Sequence, residues 1–351
     1  MISVCIITKN ESEYLLRNLQ ILKKYPCEIV VVDTGSSDSS VEIAKEYADI
    51  CGYFEWCDDF SKAKNYAVSL ATNNIILVID TDEMIEKLDV DYITDKLEKK
   101  PLGLGKVKCV STYMVDEEEQ EGIDYISRVF DRRYFHFEGC IHEQIVPNQD
   151  EGLYSFLAPV EINHLGYNLT GEEKHRKAER NIRLLLKEYE EHPTDAYIIY
   201  QLGKAYMYDD KDKEALSYFE KTFEMELDSS LDWVENLIVN TGNLYIKTGQ
   251  KEKALSLECL QSEFQDSADF HFMMGYTFMQ NAMFDRALSF FRDATKMNEG
   301  QMKGSNSYNS FYNMGVIYEC LGDVANSMKC YEKCGDFRKA IEGIKRIKIE
   351  G

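Results

Sequence analysis

The sequence is short of positive charge, and this shortage already excludes one class of partner. Its 351 residues include 40 Lys and Arg against 62 Asp and Glu, which gives a formal net charge of −22. Proteins that bind nucleic acids draw most of their affinity from clustered basic side chains that neutralise phosphates. We therefore expect no nucleic-acid partner, and a basic or neutral macromolecule fits this charge better.

Prolines, metal-binding cysteine motifs and long apolar runs are also scarce. Only 5 prolines occur, and no low-complexity linker interrupts the chain, so both halves are expected to fold. The 10 cysteines are scattered without paired CxxC motifs, which excludes a zinc ribbon or zinc finger. Neither a signal-peptide pattern nor an apolar run of about 18 residues is present. We expect a cytoplasmic protein with free thiols and no transmembrane segment.

The first part of the chain alternates strand and helix signals. Residues 2–7, 29–32 and 75–79 are nearly continuous apolar runs, typical of strands that are buried on both faces. Helical patterns separate these runs, and a βαβα order predicts a parallel sheet with crossover helices. Beyond Asp82 the strand-like pieces are joined by polar connections instead of helices. We expect mixed strands to be added to the sheet there.

The remainder of the chain repeats itself. Each unit has a glycine, then an aromatic residue three positions later, then Ala or Ser; the glycines are Gly203, Gly242, Gly275 and Gly315. Their separations of 39, 33 and 40 residues (242 − 203, 275 − 242, 315 − 275) resemble the tetratricopeptide repeat, whose period is about 34. The pattern predicts stacked pairs of antiparallel helices, in which the small residue permits close approach. We place the boundary near residues 165–171, giving domains 1–168 and 169–351, the second beginning with a linker helix.

Acidic residues follow two of the predicted strands, at the edge where open α/β sheets bind ligands. Asp33 can accept hydrogen bonds from a nucleobase or ribose, or it can instead cap a turn. Asp80 and Asp82 are two residues apart and can converge on a hard divalent cation that also bridges a diphosphate. Residues 8–11 read TKNE, so the glycine-rich loop of a dinucleotide-binding domain or a sugar nucleotidyltransferase is missing.

Several motifs, in order along the chain, resemble those of family 2 glycosyltransferases with a GT-A fold. They are VCIITKNE at 4–11, VDTGSSD at 32–38, FEWCDDFS at 54–61, DTDE at 80–83 and FEGCIHE at 137–143. The resemblance covers roughly residues 1–165. It implies an α/β, Rossmann-like domain with a mostly parallel sheet, here followed by an all-α tetratricopeptide solenoid. It also implies a nucleotide-sugar donor, a UDP-hexose or a UDP-N-acetylhexosamine.

The resemblance implies roles in donor binding for the residues that match its motifs. Thr8, Glu11 and Asp33 would surround the nucleobase, which is normally uracil. Lys64 and Asn65 would lie near the donor, where relatives often have Arg-Asn. Lysine at the first position keeps the charge for a phosphate but loses the two-pronged geometry of arginine.

The resemblance also implies a divalent metal, Mn²⁺ or Mg²⁺. Asp82 would ligate it, with Asp80 touching the ribose and sharing the metal site. His164 follows the last predicted strand, where some GT-A enzymes place a histidine on the metal, although a lone histidine is also often structural. Arg128 and Arg132 are candidates to meet the diphosphate or the acceptor, with surface ion pairing as the alternative.

Inversion at the anomeric carbon needs a base that deprotonates the acceptor opposite the leaving diphosphate. We expect Glu143 to be this base, with Glu138 and His142 as alternatives. Either alternative would otherwise satisfy buried polar groups.

Tetratricopeptide stacks have a concave groove that suits extended peptides, which favours a peptide or protein acceptor. The arrangement resembles bacterial peptide S- and O-glycosyltransferases, which implies a Ser, Thr or Cys nucleophile. Two alternatives stay open. In one, the repeats form a homodimer or a docking surface while the enzyme modifies a surface polysaccharide or a lipid-linked sugar. In the other, the N-terminal domain has lost transfer activity and serves as a scaffold.

Overall fold

The computed structural model describes residues 1–115, 118–149, 152–165 and 171–350. The chain divides into two compact units, Met1–Glu191 and His192–Gly351. None of the helices in these ranges is both long enough and apolar enough to cross a membrane.

The first unit contains ten strands and five helices in its described residues. The strands are β1 (Ile2–Thr8), β2 (Cys27–Asp33), β3 (Ile50–Tyr53), β4 (Ile75–Asp80), β5 (Glu83–Leu88), β6 (Gly103–Val115), β7 (Glu118–Asp131), β8 (Phe135–Glu138), β9 (Gln144–Pro147) and β10 (Tyr154–His164). The helices are α1 (Ser12–Leu22), α2 (Ser40–Tyr47), α3 (Phe60–Leu70), α4 (Val90–Lys99) and α5 (Gly171–Glu191).

Eight of these strands form one sheet in the order β3-β2-β1-β4-β7-β6-β10-β5. The half that contains β3, β2, β1 and β4 is entirely parallel. In the other half β7 pairs antiparallel with β4 and β6, and β5 pairs antiparallel with β10, whereas β6 and β10 are parallel. Strands β8 and β9 form a separate antiparallel pair. The predicted parallel sheet with added mixed strands is confirmed.

The apolar runs of the central strands are buried because helices cover both faces of the sheet. Val4 and Ile6 pack in one hydrophobic cluster with Leu19 of α1, while Cys5 between them packs in a second cluster with Ala67 of α3. Successive side chains of a strand point to opposite faces. A strand in the middle of this sheet therefore has to be apolar at every position, as β1 is.

The second unit is helical in its described residues. Its helices are α6 (Ala196–Tyr208), α7 (Asp212–Phe223), α8 (Asp232–Lys247), α9 (Lys251–Ser256), α10 (Ala268–Gln280), α11 (Phe284–Ala294), α12 (Tyr308–Cys320), α13 (Val324–Glu332) and α14 (Arg338–Glu350), with a short 3₁₀ turn at Leu257–Leu260. Neighbouring helices pack in pairs, and α14 packs on the last pair. The all-α solenoid predicted from the repeats is confirmed.

The repeated glycines lie against a side chain of a neighbouring helix. A Cβ atom at Gly203 would come within 2.3 Å of the Phe219 ring, and one at Gly315 within 2.5 Å of the Tyr331 ring. At Gly242 the neighbour is the sulfur of Met273, also at 2.3 Å. Any larger residue would force these helices apart, which explains why the repeat has glycine there.

The predicted domain boundary at 168/169 lies outside the described residues, and the compact units divide later, after Glu191. The reason is that α5 packs on the N-terminal unit. Arg183 of α5 pairs with Asp58 at 2.8 Å, and Glu188 accepts a hydrogen bond from the backbone N–H of Cys140. The helix that the sequence suggested as a linker to the repeats thus belongs to the first unit.

Candidate functional site

The carboxyl ends of three parallel strands bring several of the predicted residues into one row. Thr8 at the end of β1 lies opposite Asp33 at the end of β2, and Ile7 of β1 lies opposite Asp80 at the end of β4. Because the strands are parallel and in register, Asp33, Thr8 and Asp80 occupy neighbouring positions along one sheet edge. This is the edge at which open α/β sheets bind ligands.

Asp33 caps the turn that follows β2. Its carboxylate accepts hydrogen bonds from the N–H groups of Gly35 at 2.9 Å and Ser36 at 3.1 Å. Gly35 has φ 105°, in the region that favours glycine. The turn-capping alternative is therefore realised. It leaves room for a ligand, because a carboxylate has about four accepting positions.

Two further residues predicted to surround the nucleobase lie at or next to the end of β1. The side-chain hydroxyl of Thr8 is buried and has no hydrogen-bond partner among the residues that the structure describes. Buried hydroxyls in proteins are normally paired, so this one has capacity for a ligand. Glu11 directly precedes α1, and desolvation together with the charge of Asp82 raises the pKa of its carboxyl.

Asp80 is held between two cations. The amine of Lys64 lies 2.7 Å from one carboxylate oxygen, and the guanidinium of Arg128 lies 2.9 Å from the other. Desolvation opposes the ionisation of Asp80, but Lys64 and Arg128 outweigh it and hold the pKa of this carboxyl well below its usual range. Lys64 is buried, whereas the Asp80 side chain keeps 38% of its surface exposed. A ligand can therefore reach Asp80.

Glu83 completes this ion-pair network and was not among the predicted site residues. It is buried, accepts a hydrogen bond from the Asp80 N–H at 2.8 Å and contacts Arg128 at 2.7 Å. Desolvation alone would lower the pKa of Arg128, but Glu83 and Asp80 together raise it. The available signal was the position of Glu83 in the DTDE motif.

Glu143, the expected base, belongs to the same network. The amine of Lys64 lies 2.5 Å from its carboxylate, and its side chain is only 10% exposed. Asn65 has a supporting role, because its carboxamide exchanges hydrogen bonds of 2.8 and 2.9 Å with the backbone of Phe137. Asn65 thus fixes the segment that carries Glu143 against α3, and its amide is used by this contact.

The two alternative bases are placed differently. Glu138 is 65% exposed and pairs with His136 at 2.9 Å. His142 is exposed and has φ 51°, a conformation that is uncommon for a residue with a side chain. Of the three candidates, Glu143 is the one that contacts the cation of Asp80.

Asp82 pairs with His164, the histidine that follows the last predicted strand. Their side chains are 3.3 Å apart, and Asp82 also accepts a hydrogen bond through its backbone carbonyl from Leu165. Desolvation would lower the pKa of His164, but the hydrogen bond to Asp82 raises it. Conversely, desolvation would raise the pKa of Asp82, and His164 lowers it.

Among the described residues, the side chains near Asp82 supply part of the ligand set that a divalent ion needs. No group of three His, Cys, Asp or Glu side chains spaced to hold a metal occurs among the described residues. However, neighbouring ligands of an octahedral ion at about 2.1 Å lie about 3 Å apart, close to the 3.3 Å between Asp82 and His164. The pair fits two positions of such an ion, while both oxygens of Asp80 contact cations.

Helix α5 adds cations that the sequence interpretation did not include. The amine of Lys177 lies 4.0 Å from the Asp82 carboxylate. Arg183 makes a two-point ion pair with Asp58 and lowers the pKa of that carboxyl to about 2. Basic residues at 177, 180 and 183 lie on one helical face, and this spacing was the available signal.

Comparison with known proteins gives matches to both units. Residues 3–143 match the model for glycosyl transferase family 2, and residues 308–334 match a model for the tetratricopeptide repeat. The SPbeta prophage-derived glycosyltransferase SunS of Bacillus subtilis is 25% identical over 276 residues, which cover 75% of this chain and 63% of SunS. A TPR repeat-containing protein of Synechococcus elongatus is 32% identical over 214 residues, which cover 58% of this chain and 51% of that protein.

Among solved structures, YrrB, a TPR protein with an unusual peptide-binding site, aligns with 24% identity and a TM-score of 0.40. The alignment covers 49% of this chain and 86% of YrrB. The chain spans 63% of the length of SunS and 51% of the length of the Synechococcus protein.

Proposed function

We propose that the chain is an inverting glycosyltransferase. It transfers a sugar from a UDP-hexose or UDP-N-acetylhexosamine to Ser, Thr or Cys of a peptide or protein. Residues 3–143 match the model for glycosyl transferase family 2, and residues 308–334 match a model for the tetratricopeptide repeat. The observation that carries this proposal is the row of Asp33, Thr8 and Asp80 at one sheet edge.

In this proposal the nucleoside of the donor occupies the row. The buried Thr8 hydroxyl and the remaining accepting positions of Asp33 offer hydrogen bonds to the nucleobase. Asp80 is ionised and partly exposed, which suits contact with ribose hydroxyls. Asp82 and His164 would hold Mn²⁺ or Mg²⁺, and the bound ion would supply positive charge for the departing diphosphate.

Glu143 is the proposed base. It takes the proton of the acceptor hydroxyl or thiol while the acceptor atom forms its bond to the anomeric carbon and the bond to the nucleoside diphosphate breaks on the opposite side. Lys64 contacts both Glu143 and Asp80. It therefore fixes the base relative to the donor side of the site, which is what orientation of two reactants requires.

The donor half of the proposal is tested with purified protein, Mn²⁺ and a panel of UDP-, GDP- and dTDP-sugars. We expect slow hydrolysis of at least one donor, with release of its nucleoside diphosphate. Asp82→Ala should reduce that release by about 100-fold or more, because it removes a group at the developing charge. Asp95→Ala is the control, since Asp95 is in an exposed pair on α4. A wild-type protein that neither binds nor hydrolyses any donor would contradict the proposal.

The acceptor half is tested by intact-mass analysis of Ser-, Thr- and Cys-containing peptides after incubation with the active donor. A peptide acceptor predicts a mass increase of one sugar, and the modified residue identifies an S- or O-linkage. If peptides stay unmodified while lipid-linked or polysaccharide acceptors gain the sugar, the transferase proposal stands and the peptide acceptor is wrong.

A further inference from the structure

The proposed function leaves one question about charge, namely which side chains meet the phosphates of the donor. Lys64 is buried and contacts both Asp80 and Glu143. Arg128 contacts both Asp80 and Glu83. Each of these cations is already neutralised by two carboxylates. Binding of a diphosphate to either of them would break a charge-assisted pair, which is costly at a desolvated site.

Lys177 on α5 is placed differently. Its amine is 4.0 Å from Asp82 and its side chain is 33% exposed, so the ion pair is loose and solvent can reach it. Desolvation raises the pKa of the Glu11 carboxyl, and the positive charge of Lys177 acts on the same group in the opposite direction. Lys177 therefore faces the gap between Glu11 and Asp82, at the proposed donor site.

Arg180 lies one helical turn further along α5 and contacts the start of α3. Its guanidinium is 5.3 Å from the centre of the Phe60 ring, and Phe60 is the first residue of α3, the helix that carries Lys64. Desolvation lowers the pKa of Arg180, and the negative charge of Glu11 opposes this shift. The side chain is exposed and hydrogen-bonds only to its neighbour Asn181 among the described residues.

The remainder of α5 holds these two cations in position. Arg183 pairs with Asp58 through both of its terminal nitrogens. Near the end of the helix, the backbone N–H of Cys140 donates to Glu188 and the Cys140 thiol donates to the carbonyl of Leu184 at 3.7 Å. The helix is thus tied to the loop before α3 and to the segment that precedes Glu143. Cations on a helix fixed in this way need little reorganisation to bind an anion.

We propose that Lys177 and Arg180 bind the phosphates of the nucleotide-sugar and stabilise the nucleoside diphosphate as it leaves. This inference rests on the proposed function. Helix α5 is therefore part of the donor site, although it lies outside the matched residues 3–143.

The test separates phosphate binding from nucleoside binding. UDP, GDP and dTDP are titrated into the wild-type protein, and the diphosphate that binds is then compared with its own nucleoside. Lys177→Gln and Arg180→Gln should each weaken diphosphate binding by about tenfold, as expected for a hydrogen bond to a charged group, and leave nucleoside binding unchanged. Lys177→Arg should keep the affinity to within about threefold. Lys187→Gln and Arg176→Gln, both exposed on α5, are the matched controls.

Each outcome decides between the two proposals. If the wild-type protein binds none of the three diphosphates, the proposed function fails. If it binds one, and both glutamine variants bind it with wild-type affinity, the inference about α5 is overturned while the proposed function stands. An equal loss for diphosphate and nucleoside also overturns it, since α5 would then support only the shape of the site.

Discussion

The helical repeats of the second unit and the candidate site of the first unit depend on different kinds of contact. In the repeats, Gly203 packs on Phe219, Gly275 on Phe291 and Gly315 on Tyr331; in each pair the partner lies 16 positions further along (219 − 203, 291 − 275, 331 − 315). At the candidate site the contacts are ionic and join distant segments. Arg128 and Asp80, for example, are 48 positions apart.

This difference predicts different responses to mutation. A contact between a glycine and a ring depends on shape, is repeated several times, and loses only packing energy when it is disturbed. A desolvated ion pair occurs once, and removal of one partner leaves the other charge without compensation. Changes in the ion-pair network should therefore cost more than changes in the repeats. Because the chain has only two tryptophans, Trp56 reports on the first unit and Trp233 on the second.

The largest effect is expected for Lys64→Met. Lys64 is buried and contacts Asp80 at 2.7 Å and Glu143 at 2.5 Å. Its loss removes the cation that Glu143 contacts and leaves Asp80 with Arg128 alone. We therefore expect the first unit to lose about 3 to 5 kcal/mol of unfolding free energy. The measurement is denaturant unfolding followed by Trp56 fluorescence in a Trp233→Phe background.

Lys99→Met is the control for this prediction. Lys99 forms an exposed pair with Asp95 one turn away at 2.6 Å, and such pairs contribute about 0.5 kcal/mol. A loss for Lys64→Met as small as that of the control would show that the network does not stabilise the unit, and the contrast with the repeats would disappear.

A smaller effect is expected for Gly203→Ala in the repeats. The new Cβ would lie 2.3 Å from the Phe219 ring, which is fully buried. Overpacking should outweigh the gain of about 1 kcal/mol in helix propensity, for a net loss of about 1 to 2 kcal/mol. Trp233 fluorescence in a Trp56→Phe background measures it.

Phe219→Leu provides the cross-check, because a smaller partner makes room for the methyl group. In the Phe219→Leu background, Gly203→Ala should cost less than in the wild type or be stabilising. An unchanged cost would assign the effect to the backbone of α6 instead of the glycine–ring contact.

The sequence predicts those parts of the structure in which residues close together in the chain determine the secondary structure and its packing. Apolar runs with helical patterns between them predict β1, β2 and β4 in a parallel sheet, and the ends of parallel strands must meet. This is why Asp33 and Asp80 could be assigned to one edge. Likewise the glycine spacing predicts the repeats, because the contacts of Gly203, Gly275 and Gly315 each form within a single helix pair.

The remaining parts depend on where distant segments meet. Nothing in the local pattern shows that Asn65 bonds to the backbone of Phe137, or that Lys64 is shared between Asp80 and Glu143. For the same reason, the local pattern does not show that the compact units divide after Glu191. A polar helix with an apolar stripe predicts that α5 packs on something, but its partner is chosen by contacts over more than a hundred positions, such as Arg183 with Asp58.

The smallest effect concerns pH and is confined to the first unit. His164 has a raised pKa because of its bond to Asp82, so it binds a proton more tightly in the folded state. The resulting stabilisation is complete below the unfolded value of about 6.5 and is lost as the pH rises through the folded pKa. The pKa of Asp82 is lowered, so protonation of Asp82 removes this stabilisation only at acidic pH.

We expect His164→Gln to lower the unfolding free energy by up to about 1 kcal/mol at pH 6 and by little at pH 9. The measurement is Trp56 fluorescence with EDTA present. His192 is exposed, and His192→Gln should leave the unfolding free energy unchanged at both pH values. Equal losses at both pH values would mean that His164 stabilises the unit through packing. The Asp82–His164 pair would then not belong with the ion pairs around Asp80.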